Sequence, residues 1–344
     1  RAFYAIKGLS TSSGEPTNAV YGFVNILNKI LKEEKPEFIA ACFDVSRDTF
    51  RSRKFAQYKI NRPKMSDELS SQIPVIKEII FAYGIPIIER EGFEADDIIA
   101  YLALSNASLK LKVTIISSDK DILQLVGKNV RVLNPYKDGG IIYNEEKVFS
   151  LFGVKPEGIA DILSLLGDSS DNIPGIPGIG EKNASELVRE FGSAENIIKN
   201  LDKVKKEKIR QSIAENKERI ILNKELVKLS PDIDLGVSLE DLRIKGPDIE
   251  RLAGLFKRLE FNKFLSELKF SDNKESVINI KLCDEEELGR AVKSKRELIL
   301  YLEESGKIYF SCNGVYLFAE EFSAVLLKLL ADDSVKKTGH DLKR

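Results

Sequence analysis

The chain has 344 residues, a formal net charge of −1, 31% charged and 43% hydrophobic residues, three cysteines and one histidine. That length holds two or three domains with cores of their own. No apolar run reaches the ~18–20 residues of a membrane span, and Cys42, Cys283 and Cys312 form no CxxC pair, which argues against a disulfide scaffold or thiolate zinc site and fits a reduced, cytoplasmic setting. The single His340 lies close to the C-terminal end and excludes Ser-His-Asp or Cys-His catalysis and any multi-histidine metal site. A hydrolase in this chain works with carboxylates, lysines and metal ions.

In chain order, residues 17–34 predict a helix, with Pro16 and Thr17 near its start and Lys35-Pro36 after it. FIAACF (38–43) reads as a buried strand ending at Asp44. A helix is expected over 66–83, with Ser66 as N-cap and Pro74 as a kink or break. IPIIE (85–89) is a strand, ADDIIAYLAL (95–104) a helix, and VTIISS (113–118) a strand ending just before Asp119. A helix DILQLV (121–126) and a strand VRVL (130–133) follow. Apolar strands alternating with helices predict a parallel α/β sheet covered on both faces. From about 155 the strand signals stop, and 155–270 reads as helix and turn, including NIPGIPGIG (172–180). SDNKE (271–275) reads as a linker. INIKLC, LILYLEE, KIYFSC and GVYLFAE are short strands, with helices around 284–294 and 321–331, making a third, α+β unit over 276–344. The chain opens at Arg1 with neither methionine nor signal peptide and reads as a piece of something longer.

The near-zero net charge hides segregation. Residues 47–64 hold seven basic residues against one acidic, and 199–210 form a second lysine-rich cluster. Carboxylates collect instead at 94–97, 119–121 and 168–171, a pattern of cation sites beside a polyanion surface. Asp44, Asp119 and Asp121 stand at or just beyond the C-terminal ends of expected strands, the edge where open parallel sheets bind ligands. Glu94, Asp96 and Asp97 open a helix; Glu94 and Asp97, three apart, share one face. Asp168 and Asp171 have the same spacing in GDSSDN. Together on one rim, such carboxylates repel by on the order of 4 kcal/mol per pair at ~4 Å and an effective dielectric of ~20. Divalent cations relieve that repulsion, and all-oxygen ligands point to Mg²⁺ or Mn²⁺. Two such ions suit phosphodiester hydrolysis without histidine. Taken singly, each motif also fits a helix cap or a macrodipole partner.

In the basic segment, Phe50, Phe55 and Tyr58 interleave with Arg51, Arg53, Lys54, Lys59 and Arg62. Basic side chains neutralise phosphates and aromatics stack on bases; the bland alternative is a solvated helix or loop. Glycines at 175, 178 and 180 precede a helix whose first turn carries Glu181 and Lys182. Such a turn admits a phosphate to backbone amides, without the GK[ST] ending of a P-loop, or is simply a tight helix–helix connection.

TSSGEPTNAVYGF, ACFD, QYKINRP, EGFEADDIIA, SSDKDILQLV and LLGDSSDNIPGIPGIGEKNASELV resemble, in order and spacing, the 5′-nuclease domain of bacterial DNA polymerase I, in the flap endonuclease superfamily. The resemblance covers about residues 1–270. It implies a PIN-like α/β core over 1–154 with a basic arch at about 47–83, then a helical helix–three-turn–helix subdomain over 155–270. It implies a structure-specific 5′→3′ exonuclease and flap endonuclease that removes RNA primers and 5′ flaps in replication and repair. By motif, Asp44, Glu94, Asp96, Asp97, Asp119, Asp121, Asp168 and Asp171 take metal roles with two or more Mg²⁺ or Mn²⁺ ions, with Asp96, Asp119 and Asp121 nearest the reaction. Lys59 and Arg62 hold the scissile phosphate. Arg1, Arg51, Arg53, Lys54, Tyr58, Gly175, Gly178, Gly180 and Lys182 form the DNA-binding set, with K⁺ at the glycine turn. The implied partners are branched, nicked or flapped duplex DNA and RNA–DNA junctions, bound by a monomer that works in the cytoplasm at the nucleoid, with a polymerase domain following. The family begins with a strand ending in Asp-Gly, and here the chain opens at Arg1-Ala2-Phe3, so the resemblance implies that this strand and its aspartate are missing from the sequence and that the chain as it stands is unstable or nearly inactive. Residues 276–344 resemble the start of the 3′→5′ exonuclease-like, RNase H-like domain of the same polymerase. Tyr301 stands where an Asp-x-Glu motif needs aspartate, with only Glu303 matching, which implies an inactive scaffold. VKKTGHDLKR matches a later helix start there, and His340 reads as a surface residue. The competing readings are a catalytically inactive DNA-junction binding module and a related RNase.

Overall fold

The computed structural model describes residues 2–108, 111–137, 139–230, 232–268, 281–282, 289–290, 292, 296–302, 308–312, 315–319 and 324–339. Arg1, the expected linker, Cys283, Glu303, His340 and most of the helix expected at 284–294 lie outside them. The chain divides into Arg1–Leu268 and Lys269–Arg344. No helix among the described residues is long and apolar enough to cross a membrane.

In the first unit a short helix α1 (Ala2–Ala5) precedes α2 (Asn18–Glu34), which ends at Lys35 in the left-handed conformation, ahead of Pro36. β1 (Ala41–Cys42), α3 (Phe50–Lys54), α4 (Asp67–Ala82), β2 (Ile87–Ile88), α5 (Ala95–Ser108) and β3 (Val113–Ile116) follow. Ser66 caps α4 by accepting from the Leu69 amide at 3.3 Å. Pro74 sits inside α4 without breaking it. The helix expected at 121–126 is a 3₁₀ turn, Asp121–Leu125, with Ile122, Leu123 and Leu125 buried.

The strands are shorter and less uniform than the apolar runs predict. β1 and β2 pair in parallel, Ala41 opposite Ile87, and only the amides of Ala41 and Phe43 extend the pairing, onto Pro86 and Ile88. β3 pairs in parallel with β4 (Val130–Asn134), but β5 (Ile141–Tyr143) adds antiparallel. Gly139 and Gly140, both at positive φ, turn the chain back so soon that no crossover fits, and short connections make antiparallel pairs. The described strands of this unit thus form a two-stranded and a three-stranded sheet in place of one parallel sheet.

Two apolar clusters hold the unit together. Val20, Val24, Ile76, Ile79 and Ile80 from α2 and α4 pack with Leu252, Phe256 and Phe264 from α12 (Ile249–Arg258) and α13 (Asn262–Glu267). The helical region therefore divides, its last two helices folding back onto the N-terminal core. Ile115, Ile122 and Val132 pack with Ile159, Leu165, Leu187 and Ile213. These come from α7 (Ile159–Leu166), α8 (Glu181–Phe191) and α10 (Glu207–Glu215), with α6 (Glu145–Phe152), α9 (Ala194–Lys199) and α11 (Lys217–Val227) completing the helical array.

The second unit has its own sheet, in the order β10-β7-β8-β9-β6: β6 (Lys281–Leu282), β7 (Glu297–Leu302), β8 (Ile308–Cys312), β9 (Val315–Ala319) and β10 (Lys336–Gly339), with α14 (Ala324–Ala331). β7, β8 and β9 are antiparallel neighbours, while β10 and β6 join in parallel. Of VKKTGHDLKR, matched to a helix start, Lys336–Gly339 form β10, paired with β7, and the residues after Gly339 lie outside those described. Leu298, Leu300, Ile308, Phe310 and Leu326 form the core.

The turn between α7 and α8 is unusually tight. A Cβ on Gly175 would meet the Leu166 carbonyl oxygen at 2.1 Å, while one on Gly180 would meet nothing within 4 Å. Overpacking of this kind costs ~1–3 kcal/mol. Gly175→Ala is expected to lower unfolding free energy by about that amount in urea titration. Gly180→Ser, which places a favoured capping residue in open space, is expected to stay within ~0.5 kcal/mol of the parent.

Candidate active site

The sheet edges and two turns bring the acidic motifs to one side of the first unit. Asp44, just past β1, accepts from the Ala95 amide at 2.7 Å and so caps α5. Asp119 follows β3 and accepts from the Asp121 amide at 3.1 Å. Asp168 accepts from the Ser170 amide at 2.7 Å, folding the 168–171 turn on itself. Burial and the charges of Asp119 and Asp44 push the Asp96 carboxyl up to about 7. Burial and the charges of Asp119, Asp168, Asp171 and Asp96 push Asp121 up to about 8. Carboxylates from four motifs thus feel one another. Cys42 is pushed up to about 12, by burial and then by Asp96, and is no nucleophile.

Among the described residues, no three Asp, Glu, His or Cys side chains converge closely enough to grip one ion. Three of the predicted ligands are instead paired with the protein's own cations. Glu94 pairs with Lys59, Asp171 with Arg62, and Arg51 with both Glu94 and Asp97.

Asp97, expected as a metal ligand, is engaged elsewhere in this structure. It is fully buried. One oxygen accepts from Arg51 Nη2 at 2.8 Å and the Ser230 amide at 3.0 Å; the other accepts from Arg51 Nη1 at 2.5 Å and the Glu94 amide at 3.2 Å. Its four lone-pair sites are occupied. Its bond back to the Glu94 amide is half of a capping box, so the three-residue spacing read as a shared ligand face is a helix start.

The basic segment is also redistributed. Arg51 is 1% exposed and Tyr58 8% exposed, so both side chains, expected in the DNA-binding set, are turned into the protein in this structure. Burial would lower the Arg51 pKa, but Asp97 and Glu94 outweigh it and hold the guanidinium above its ordinary value. The Tyr58 hydroxyl lies 3.0 Å from Glu94 Oε2 and 2.9 Å from Asp171 Oδ2; with one proton it donates to one carboxylate at a time. Burial, then the charges of Glu94 and Asp171, raise its pKa. Arg53 pairs with Asp48 and Lys54 with Glu225, both in solvent.

Lys59 and Arg62 do stand at the rim. The Lys59 amide donates to the Asp171 carbonyl at 2.9 Å, and Asn172 Nδ2 donates to the Gln57 carbonyl at 2.7 Å. Lys59 (φ 54°) and Asn172 (φ 57°) are both left-handed. A non-glycine residue held there costs about 1–3 kcal/mol and marks a conformation the surroundings enforce.

At the glycine turn, Gly175 abuts the end of α7, where a Cβ would meet the Leu166 carbonyl oxygen. Gly178 and Gly180 face open space and Lys182 is exposed. Lys206 donates to Asn183 Oδ1 at 2.7 Å and Ser212 to the Pro177 carbonyl at 2.7 Å, which brings the 199–210 cluster beside the turn. Sequence reasoning missed Gln124, which binds the Asp121 and Val227 carbonyls and the Leu229 amide. A neutral glutamine among aspartates gives no chemical signal.

The donor chemistry fits divalent metal: hard oxygen ligands, short of positive charge at Asp96 and Asp121. Because both folded-state values lie above the ordinary carboxylate range, these groups bind protons in the folded chain that the unfolded chain has released. Their stabilisation is complete at low pH and is lost as pH rises from about 4 through about 8. Thermal melts in chelator are expected to show stability falling between pH 5.5 and 8.5. Asp121→Asn is expected to flatten that slope, and Mg²⁺ to raise the wild-type midpoint more at pH 8 than at pH 6.

The family described as "5'-3' exonuclease, N-terminal resolvase-like domain" matches residues 1–153, and "5'-3' exonuclease, C-terminal SAM fold" matches residues 154–250. A 5'-3' exonuclease of Aquifex aeolicus is 46% identical over 78% of this chain and 91% of its own length. DNA polymerase I of Caldicellulosiruptor bescii is 37% identical across 100% of this chain, which spans only 42% of that relative. The structure of bacteriophage T5 D15 flap endonuclease in complex with DNA and metal ions covers 73% of this chain and 90% of its own, with 23% identity and a TM-score of 0.54, a likeness of fold. The chain belongs to the 5'-3' exonuclease family and is related to the nuclease region of DNA polymerase I.

Proposed function

We propose that the rim of Asp44, Asp96, Asp119, Asp121 and Asp168 is the hydrolytic centre of a 5'-3' exonuclease and flap endonuclease of the DNA polymerase I type, acting on branched, nicked or flapped duplex DNA and on RNA–DNA junctions. The observation that carries this is the gathering of these carboxylates at one rim, where burial and then their mutual repulsion raise the pKa values of Asp96 and Asp121. Asp44, Asp96, Asp119, Asp121 and Asp168 are the residues that would hold Mg²⁺ or Mn²⁺, drawn closer by the ion than they stand in its absence, and the bound ion would supply charge stabilisation for phosphodiester hydrolysis. Glu94 and Asp171 stand between that rim and the basic segment.

Lys59 and Arg62, seated on Glu94 and Asp171, are the cations that exchange a carboxylate for the scissile phosphate and orient it. Gly178, Gly180 and the amides opening α8, with Lys182 and Lys206 beside them, bind one strand of the duplex through its phosphates and read no sequence. K⁺ at this turn belongs to the same reading. Arg53 and Lys54 add exposed charge. Because relatives with DNA and metal ions share the fold alone, the substrate and the ions are assigned here on the rim's chemistry.

In the second unit, the mixed sheet in which antiparallel β7, β8 and β9 are flanked by parallel strands supports an exonuclease-like, RNase H-like scaffold. Tyr301 on β7 supports its being inactive.

Asp119→Asn in the full-length protein is expected to slow 5′-flap cleavage by at least on the order of 10²–10³-fold, with affinity for the same flap unchanged or tighter because a negative charge is gone. Retained cleavage would contradict the rim's role. Salt-sensitive binding of flapped DNA without cleavage by the unaltered protein would favour the junction-binding module.

A further inference from the structure

Arg51 stands apart from its basic neighbours. A buried guanidinium must place five N–H donors, and those of Arg51 run to two parts of the chain, the end of α11 and the start of α5. Nε donates to the Leu226 carbonyl at 2.7 Å and Nη2 to the Lys228 carbonyl at 3.0 Å. The fork of Nη1 and Nη2 grips Asp97, and Nη1 also reaches Glu94 Oε2 at 3.1 Å. Leu226 and Lys228 lie at the C-terminal end of α11, where carbonyls lack helical partners and the helix dipole favours a cation.

The strap that leaves α11, residues 226–230, is also held by a second side chain. Gln124 joins the Asp121 carbonyl to the Val227 carbonyl and accepts from the Leu229 amide at 3.0 Å. Asp97 closes the strap by accepting from Ser230. Beneath it, Tyr58, Ala160, Ile173, Leu226 and Val227 make one small apolar cluster. The end of α11 is thereby tied both to the turn that presents Glu94 and Asp96 and to the turn that presents Asp121.

We propose that Arg51 is a positioning residue for phosphodiester hydrolysis: its fork on Asp97 locks the start of α5 to the end of α11, so that the carboxylate rim and the helices carrying the glycine turn hold one fixed relation. This rests on the rim being the hydrolytic centre. A well-packed apolar side chain would serve stability as well as a buried ion pair does. What the fork adds is direction, since two parallel hydrogen bonds fix the Asp97 plane and with it the first turn of α5.

Arg51→Lys and Asp97→Asn in the full-length protein test this. The readouts are single-turnover flap cleavage at saturating DNA, DNA affinity, Mn²⁺ affinity by paramagnetic resonance without DNA, and the thermal midpoint. Arg51→Lys keeps the charge and loses the fork. It is expected to lower the saturating rate and weaken Mn²⁺ by about 10–100-fold, as loss of an outer-shell partner does, with DNA affinity within about threefold. A folded Arg51→Lys with wild-type rate and Mn²⁺ affinity overturns the proposal, as does a loss confined to DNA affinity. If Arg51→Lys does not fold, the near-isosteric Asp97→Asn decides by the same two readouts. Asp119→Asn separates the readings. Lost cleavage there beside normal Arg51→Lys and Asp97→Asn overturns the positioning role alone, whereas unchanged cleavage overturns the rim and the positioning role with it.

Discussion

Like charge is crowded at one edge of the first unit, and the placement of its internal cations follows from it. Aspartates after β1 and β3, at the start of α5, on the 3₁₀ turn and in the 168–171 turn share one side of the first unit, and burial together with mutual repulsion pushes Asp96 and Asp121 up to about 7 and about 8. No packing of apolar side chains relieves that. The chain answers with its own cations where it can: Lys59 on Glu94, Arg62 on Asp171, and Arg51 on Asp97. What those cations leave uncovered is the part with the chemistry of a divalent metal site.

The internal cations are not interchangeable. Arg51 is buried and satisfied on every side, and acts by fixing geometry. Lys59 and Arg62 are partly in solvent, with side chains 22% and 46% exposed, as the proposed exchange of a carboxylate for a phosphate requires. The left-handed backbone at Lys59 and Asn172 is held by the hydrogen bonds that stitch the two turns together. Local strain and local charge therefore sit at the same place, where a substrate phosphate is expected.

Much of this was legible in the sequence, for identifiable reasons. A short apolar run followed by aspartate marks the C-terminal edge of a strand, which placed Asp44 and Asp119 correctly. Six motifs in one order made the family plain. The roles of Asp96 and Asp97 were not separable, because EADD offers two adjacent carboxylates and only a partner 46 residues away in the chain, Arg51, decides which turns inward. Alternation along α3 predicts that Arg51 and Arg53 face opposite ways, but not which is buried. The three glycines look alike in NIPGIPGIG, and only the approach of the Leu166 carbonyl distinguishes Gly175. The reversal at Gly139-Gly140 turned an expected parallel edge into an antiparallel one.

The rim, short of positive charge, is proposed to take divalent cations through its aspartates. The most direct measurement is the stoichiometry and affinity of Mn²⁺ binding to the full-length protein at neutral pH, by paramagnetic resonance of the free ion. Two or more saturable sites, weakened at least about tenfold in Asp121→Asn, is the predicted result. Binding that is unsaturable, or that is untouched by Asp121→Asn, would contradict it.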